Sequence, residues 1–266
     1  MRSLKIMAVA VIAVAAVVLC SFAATNLHKD DDKGTVGIIG AMQVEVEKIE
    51  EAMTGKEMRT VAGMSFCTGM LDDQKVVLAQ CGMGKVNAAA CAQLLITEFR
   101  VKCIINTGVA GSLDNTLDIG DFVVSTETVQ HDFDVSPLEG FAKGEIPYTG
   151  LIAFKADGTL RAKAVKAVEE CAPEIKALEG RICSGDQFIA TQAQKDSIKT
   201  EYGGLCCEME GGAIAQVCYL NKIPFVIIRA ISDKADGSEM EDYSEFEKKA
   251  AARSAKVVQY MVEEHF

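Results

Sequence analysis

Residues 224–236 read PFVIIRAISDKAD. The first eight, Pro224–Ile231, are almost wholly apolar and rich in branched side chains, the pattern of a strand buried on both faces. The strand stops at Ser232–Asp233, so a carboxyl group is expected at the carboxyl end of a central strand, where ligands of open α/β sheets gather. Taken alone, Asp233 fits two readings, an acid catalyst or a cap on the following turn. Arg229 likewise reads as a site residue or a surface one.

Outward from this strand, apolar runs alternate with helical spacing. Thr35–Ile39 is a short strand ending at Gly40, and Val44–Met53 follows as a helix. Met64–Met70 and Lys75–Gln80 flank the turn LDDQ and form a hairpin. Lys85–Phe99 is an Ala-rich helix, and Cys103–Thr107 is a buried strand closed by Gly108 and Gly111. Asp121–Thr126 is a strand, followed by an irregular stretch to about Phe154. Helices are expected over Arg161–Cys171, Gln192–Glu201, Ala213–Asn221 and Ser244–Glu264, with a strand over Gly180–Cys183. The alternation predicts an α/β fold, one domain with a central mixed, largely parallel twisted sheet flanked by helices.

The chain of 266 residues divides into three parts. In residues 1–24, Arg2 and Lys5 precede an apolar run from Ile6 to Ala24, which reads as a secretory signal peptide or an uncleaved membrane anchor. Cys20 adds a lipid-attachment reading. Residues 25–33 (TNLHKDDDK) are a polar linker, and residues 34–266 suit one domain with a large core. The expected location is therefore exported or membrane-anchored, with the membrane reached only through the N-terminal segment. The domain holds 23 basic and 35 acidic residues, a formal charge of −12. Such an excess of acid excludes nucleic-acid binding, which needs a basic face. Nine of the ten cysteines follow residue 24, with no CxxC pair; they read as small core residues, outside any disulfide framework or zinc site.

Four further stretches carry chemistry. GIIGAMQVEV (37–46) is a strand, a glycine turn and a helix with Glu45 in its first turns, where the helix dipole alone accounts for an acid. CGMGKV (81–86) sets glycines before a helix so that backbone N–H groups approach a ligand, although its spacing is not that of a Walker loop. CEMEGG (207–212) places two glutamates around Met209. One of them accepts bonds from sugar hydroxyls, or the pair is structural, because an unpaired buried carboxylate is costly. His131–Asp132 (in HDFD) suggests a metal pair, but with three histidines and no second cluster no metal site is expected.

In order, GIIGAMQVEVE, CGMGKVNAAA, INTGVAGSL, GDFVVS, SGDQFI, CEMEGGAIAQVC and PFVIIRAISDKAD resemble the methylthioadenosine/S-adenosylhomocysteine nucleosidases of the nucleoside phosphorylase superfamily, from about Val36 to the C-terminus. The resemblance implies hydrolysis of the N-glycosidic bond of those nucleosides, with water as co-substrate, no cofactor, and a homodimer whose partner subunit closes the 5′ pocket. It implies Glu45 as general base, Arg229 near the attacking water, and Asp233 as general acid toward N7 of adenine, with Ser232 beside it. Glu210 is implied as acceptor for the ribose hydroxyls, with Met209 against the sugar, Phe188 stacked on adenine and the Ile189 backbone reading its edge. Met42, Val135, Pro147 and Tyr243 are implied as walls around adenine and the 5′ substituent. Cys81 stands near the sugar, where many members carry Ser, and Leu138 replaces a usual aromatic. Two carboxylates in divided roles match the needs of the reaction, since charge builds on both sugar and leaving base. Asp233 then needs burial to hold its proton, and Arg229 favours ionised Glu45.

Three rivals share parts of this pattern. A purine nucleoside phosphorylase would need a phosphate cradle, against which the charge of Glu45 counts. Hydrolases of futalosine or other adenosine derivatives would use the same machinery. A non-catalytic nucleoside-binding protein should have lost Glu45, Glu210 or Asp233, and all three are present.

Overall fold

The computed structural model describes residues 34–238 and 243–263. The targeting segment and linker read from residues 1–33 lie outside the described residues.

Ten strands run through one sheet: β1 Val36–Gly40, β2 Thr54–Val61, β3 Met64–Leu71, β4 Gln74–Gln80, β5 Cys103–Ser112, β6 Phe122–Gln130, β7 Ala153–Lys155, β8 Ala177–Ser184, β9 Cys206–Glu208 and β10 Phe225–Asp233. Among the described residues six helices cover it: α1 Gln43–Ala52, α2 Lys85–Glu98, α3 Gly158–Cys171, α4 Gln192–Tyr202, α5 Gly211–Asn221 and α6 Tyr243–Glu263. The strand order is β10-β6-β8-β9-β5-β1-β4-β3-β2, with β7 on β6, and β10 also pairs with β5. That last pairing closes β5, β10, β6, β8 and β9 into a ring. Strands β4, β1, β5 and β10 are parallel neighbours, while β6 and β9 run against them. The sheet is mixed, as the sequence predicts, and the ring is an addition to that reading.

The parallel centre is dry. All of β1 is buried, and β10 is buried up to Ile231 and Ser232, with only Asp233 emerging. Buried apolar side chains form three clusters, one beneath α1, α3 and α6, one beneath α2 and α5, and a smaller one that includes Ile198 and Tyr202 of α4. Cysteines join all three, and of the nine free thiols described only Cys171 is not buried. Burial pushes the Cys91, Cys103, Cys183 and Cys218 thiols up to about 12, the behaviour of inert core residues.

Several boundaries differ from the sequence expectation. β5 does not close at Gly108 but runs on to Ser112. Its glycines admit neighbours: a Cβ at Gly108 would stand 2.5 Å from Glu45 Oε1, and one at Gly111 would stand 2.8 Å from Asp233 Oδ1. β2 lacks any apolar face and is exposed almost throughout. α3 starts before Arg161 because the Asp157 carboxylate caps it, accepting from Thr159 and Leu160 N–H.

The start of α5 shows how closely the site is packed. A Cβ on Gly212 would lie 2.9 Å from Ser184 Cβ and 3.0 Å from Gln130 Cγ. Gly212→Ala should therefore cost about 1–3 kcal/mol, read as a lower urea midpoint. An unchanged midpoint would show that β6 and β8 yield there.

Candidate active site

Four segments converge where β1, β5, β9 and β10 meet. The first glycine turn sets Glu45 at the third position of α1, with its side chain folded back over the helix start. Glu45 Oε2 accepts the Ala41 N–H at 2.6 Å and the Met42 N–H at 2.9 Å, and Oε1 accepts the Val109 N–H at 3.0 Å. Three amides thus point at one buried carboxylate. Burial raises its pKa, and the Arg229 charge and the amides only partly offset this. The expectation that Arg229 favours the ionised form gives the right sign for that one effect, while burial decides the net direction.

Arg229 is 2 % exposed and lies beneath the site floor. Its guanidinium donates to Glu208, to Asn106 Oδ1 at 2.7 Å, and approaches Glu210 Oε2 at 3.8 Å. Burial opposes its charge, but Glu208, Glu210 and Glu45 outweigh that and hold it cationic. Glu208 accepts from the Ser184 hydroxyl, from Arg229, and from the N–H groups of Glu210 (3.1 Å) and Gly211 (2.7 Å). Burial pushes its carboxyl up, yet this set of donors brings it below the ordinary range. Glu210 has fewer partners. Its Oε1 accepts the Gly84 N–H at 2.8 Å, and burial together with the Glu208 charge raises its pKa to about 7. The two glutamates of CEMEGG therefore divide the two readings the motif allows: Glu208 is the structural ion pair, and Glu210 is the one with capacity to spare.

Asp233 leaves β10 at a register shift against β5, an irregularity of the kind that re-aims a side chain at a strand end. Its Oδ2 accepts the Ser232 hydroxyl at 2.9 Å and its Oδ1 the Ala235 N–H at 2.8 Å. Burial dominates and raises the carboxyl above its ordinary range. Both readings of Asp233 are thus present in the geometry, since it receives a turn N–H and also faces a cavity.

Met42, Glu45, Phe188, Ile189, Met209, Ser232 and Asp233 line that cavity together. Phe188 is 48 % exposed and forms its rim. Glu208 also lines the cavity, while Glu210 is reached through its neighbours Met209 and Gly84, and Arg229 through Glu208. Cys81 is buried, donating its thiol to Gly82 O at 3.0 Å, and is not part of the wall. Val135 and Pro147 are not brought to this cavity, and Leu138 is 60 % exposed. Tyr243 opens α6, with its side chain outside the described residues. The sequence assigns no place on the wall to Met83, Val109, Ala110, Gly111, Gln187, Cys207 or Glu208, nor to Asn106 and Ser184 around Arg229 and Glu208. Motif membership marks all of them, but nothing in a motif shows which way each side chain turns. No cluster of three or more His, Cys, Asp or Glu suited to a metal occurs among the described residues.

A profile of the Phosphorylase superfamily matches residues 35–263. The 5′-methylthioadenosine/S-adenosylhomocysteine nucleosidase of Staphylococcus carnosus is 42 % identical over 228 residues, covering 85 % of this chain and 98 % of the relative. The crystal structure of the Neisseria meningitidis nucleosidase of the same name, in complex with methylthio-immucillin-A, superposes with a TM-score of 0.83 at 40 % identity, covering 87 % of this chain and 99 % of that one. Futalosine hydrolase of Helicobacter pylori follows at a TM-score of 0.82 and 33 % identity, covering 87 % and 98 %. With near-complete coverage at such identity, the chain belongs to the phosphorylase superfamily and, within it, to the 5′-methylthioadenosine/S-adenosylhomocysteine nucleosidases.

Proposed function

We propose that this protein hydrolyses the N-glycosidic bond of 5′-methylthioadenosine and S-adenosylhomocysteine, releasing adenine and the 5-thioribose product. The observation that carries the choice of water over phosphate is the Glu45 carboxylate in the first glycine turn. The three N–H groups that converge here are already bound to it and leave no cradle for an anion among them, and its charge repels phosphate.

In this reading the purine stacks on Phe188 with its edge along the Ile189 backbone, and the ribose hydroxyls donate to Glu210 beside Met209. Glu45 Oε1 accepts one amide and keeps a lone pair toward Gly108 and Arg229, from which it takes a proton of the attacking water. The hydroxide adds to C1′ as the bond to N9 breaks. Asp233 delivers its proton to N7, so the purine leaves neutral. Glu45 gains the proton that Asp233 loses, and the sum is one water consumed. The raised pKa values of both carboxyls suit these tasks, since proton transfer works best with groups poised near the working pH.

The placement of Val135, Leu138 and Pro147 away from the cavity of their own chain supports a homodimer in which each subunit closes the other's 5′ pocket. Residues 1–24 complete the proposal as the export or anchoring segment.

The deciding experiment measures adenine release from methylthioadenosine without phosphate. Release should occur, and Glu45→Gln should abolish most of it, about 10²–10⁴-fold. A requirement for added phosphate would replace the hydrolase with a phosphorylase, and binding without release would replace it with a binding protein.

A further inference from the structure

Two motifs remain outside this catalytic reading: Lys85 of CGMGKV and His131–Asp132 of HDFD. They meet Asp186 of SGDQF in a closed ring of hydrogen bonds. Lys85 Nζ donates to Asp132 Oδ1 at 2.5 Å, the Asp186 N–H donates to Asp132 Oδ2 at 2.8 Å, and the Lys85 N–H donates to Asp186 Oδ1 at 2.8 Å. The ring joins three elements distant in sequence: the first residue of α2, the chain leaving β6, and the turn after β8.

Glycines make the approach possible. Gly84 has φ +95°, and a Cβ there would stand 3.2 Å from Asp186 Oδ1. A Cβ on Gly185 would collide with His131 Nε2 and lie 3.0 Å from Asp132 Cγ. The Lys85 and Asp132 side chains are only 16 % and 18 % exposed, so solvent and salt screen this pair less than a surface one. Burial pushes the Asp132 carboxyl up, but the Lys85 ammonium and the Asp186 N–H outweigh it and hold it below its ordinary range. The pair is therefore a shielded, charge-assisted lock between the start of α2 and the chain leaving β6.

The Asp186 end of the ring is one residue from the cavity wall and the Lys85 end is two. Gly84, before Lys85, donates its N–H to Glu210, and Met83 lies on the wall. Gln187, Phe188 and Ile189, after Asp186, form the opposite wall. We propose that Lys85, Asp132 and Asp186 are positioning residues, which lock the sugar-side wall to the base-side wall so that purine and ribose are held in one fixed relation. They touch no substrate. Their role matters because a site already held in its bound geometry loses little free energy to ordering its walls when a ligand binds. This inference rests on the nucleosidase reading for its catalytic consequences, but its binding consequence, a tighter seat for a purine, can be read separately.

The test uses the full chain and the variants Lys85→Met, Asp132→Asn and their combination. Lys85→Met should raise KM for methylthioadenosine roughly tenfold and weaken adenine binding, measured by calorimetry, by a similar factor, with kcat changed far less. The combined variant should lose no more than Lys85→Met alone, because both changes break the same lock. KM and adenine affinity within twofold of wild type in Lys85→Met would overturn the proposal, as would losses that add in the combined variant. If Lys85→Met does not fold, Asp132→Asn decides on the same two readings, since it keeps the volume and removes the charge. A wild-type chain that binds adenine without releasing it from nucleoside would sink the nucleosidase reading, and the calorimetric comparison would still judge the lock.

Discussion

Asp233→Asn should lower turnover by about 10²–10⁴-fold, the usual scale of a lost general acid, while substrate still binds. The cavity keeps its shape in this variant, since Asn is isosteric, and its oxygen can still accept from Ser232 or Ala235. What disappears is the proton that burial keeps on the carboxyl. The same substitution should stabilise the fold at neutral pH. Asp233 holds its proton to a higher pH in the folded chain than in the unfolded one, so between those two values the unfolded state binds fewer protons and stability falls as pH rises. Above the folded value the full cost of ionising a buried carboxyl is present. Asn removes that cost, so the gain in melting temperature should be clear at pH 7 and vanish near pH 3. Normal turnover would remove Asp233 from the mechanism, and a lower melting temperature at pH 7 would show that its ionised form is welcome in the fold.

Arg229→Met should be the most destabilising single change, at about 3–5 kcal/mol. Among the described residues the guanidinium is the only cation paired with Glu208, which is itself buried, and it also faces Glu210 and Glu45. Met fills much of the volume but leaves Glu208 charged with no counter-ion. Without Arg229 the Glu208 carboxyl rises above its unfolded value, so the deficit should be largest at neutral pH and shrink on acidification as the carboxylates take up protons. Adding Glu208→Gln to Arg229→Met should recover part of the loss, because removing a whole buried pair costs less than removing half of it. Urea midpoints at pH 5 and pH 7 would settle this, and equal deficits at both would mean that the carboxylates are not what Arg229 holds in place.

The sequence shows strongly what burial dictates, and weakly what only neighbours dictate. Pro224–Ile231 and Thr35–Ile39 announce themselves as strands because both faces are dry. Gly108 and Gly111 look like a strand's end, since glycine ordinarily interrupts a ladder. Here they continue it, because Glu45 and Asp233 need the space a Cβ would take. Thr54–Val61 is invisible to any hydrophobic pattern because it forms an exposed edge, and β9 is three residues long. In the site, the motifs bring Glu45, Met209, Asp233 and Phe188 to one cavity, but the roles of the two glutamates in CEMEGG depend on where Arg229 and the Gly84 N–H lie. Those positions follow from the packing of β10, which carries Arg229, and from the turn between β4 and α2, which carries Gly84. Val135 and Pro147 illustrate the opposite case: they lie in the irregular stretch outside every motif, and the resemblance that implies them as wall residues does not bring them to their own chain's cavity.

Closure of the ring also bears on how the chain behaves at high concentration. Joining β5 to both β9 and β10 leaves no open side among the ring's long strands, so the apolar interior offers no template to another chain. The long unpaired border that remains is β2, where Lys56, Glu57 and Arg59 are all exposed. Strand addition there would have to strip water from three charges, a common protection against aggregation. The polar character that hides β2 from sequence patterning is thus what guards the edge of a dry, thiol-rich sheet against strand addition.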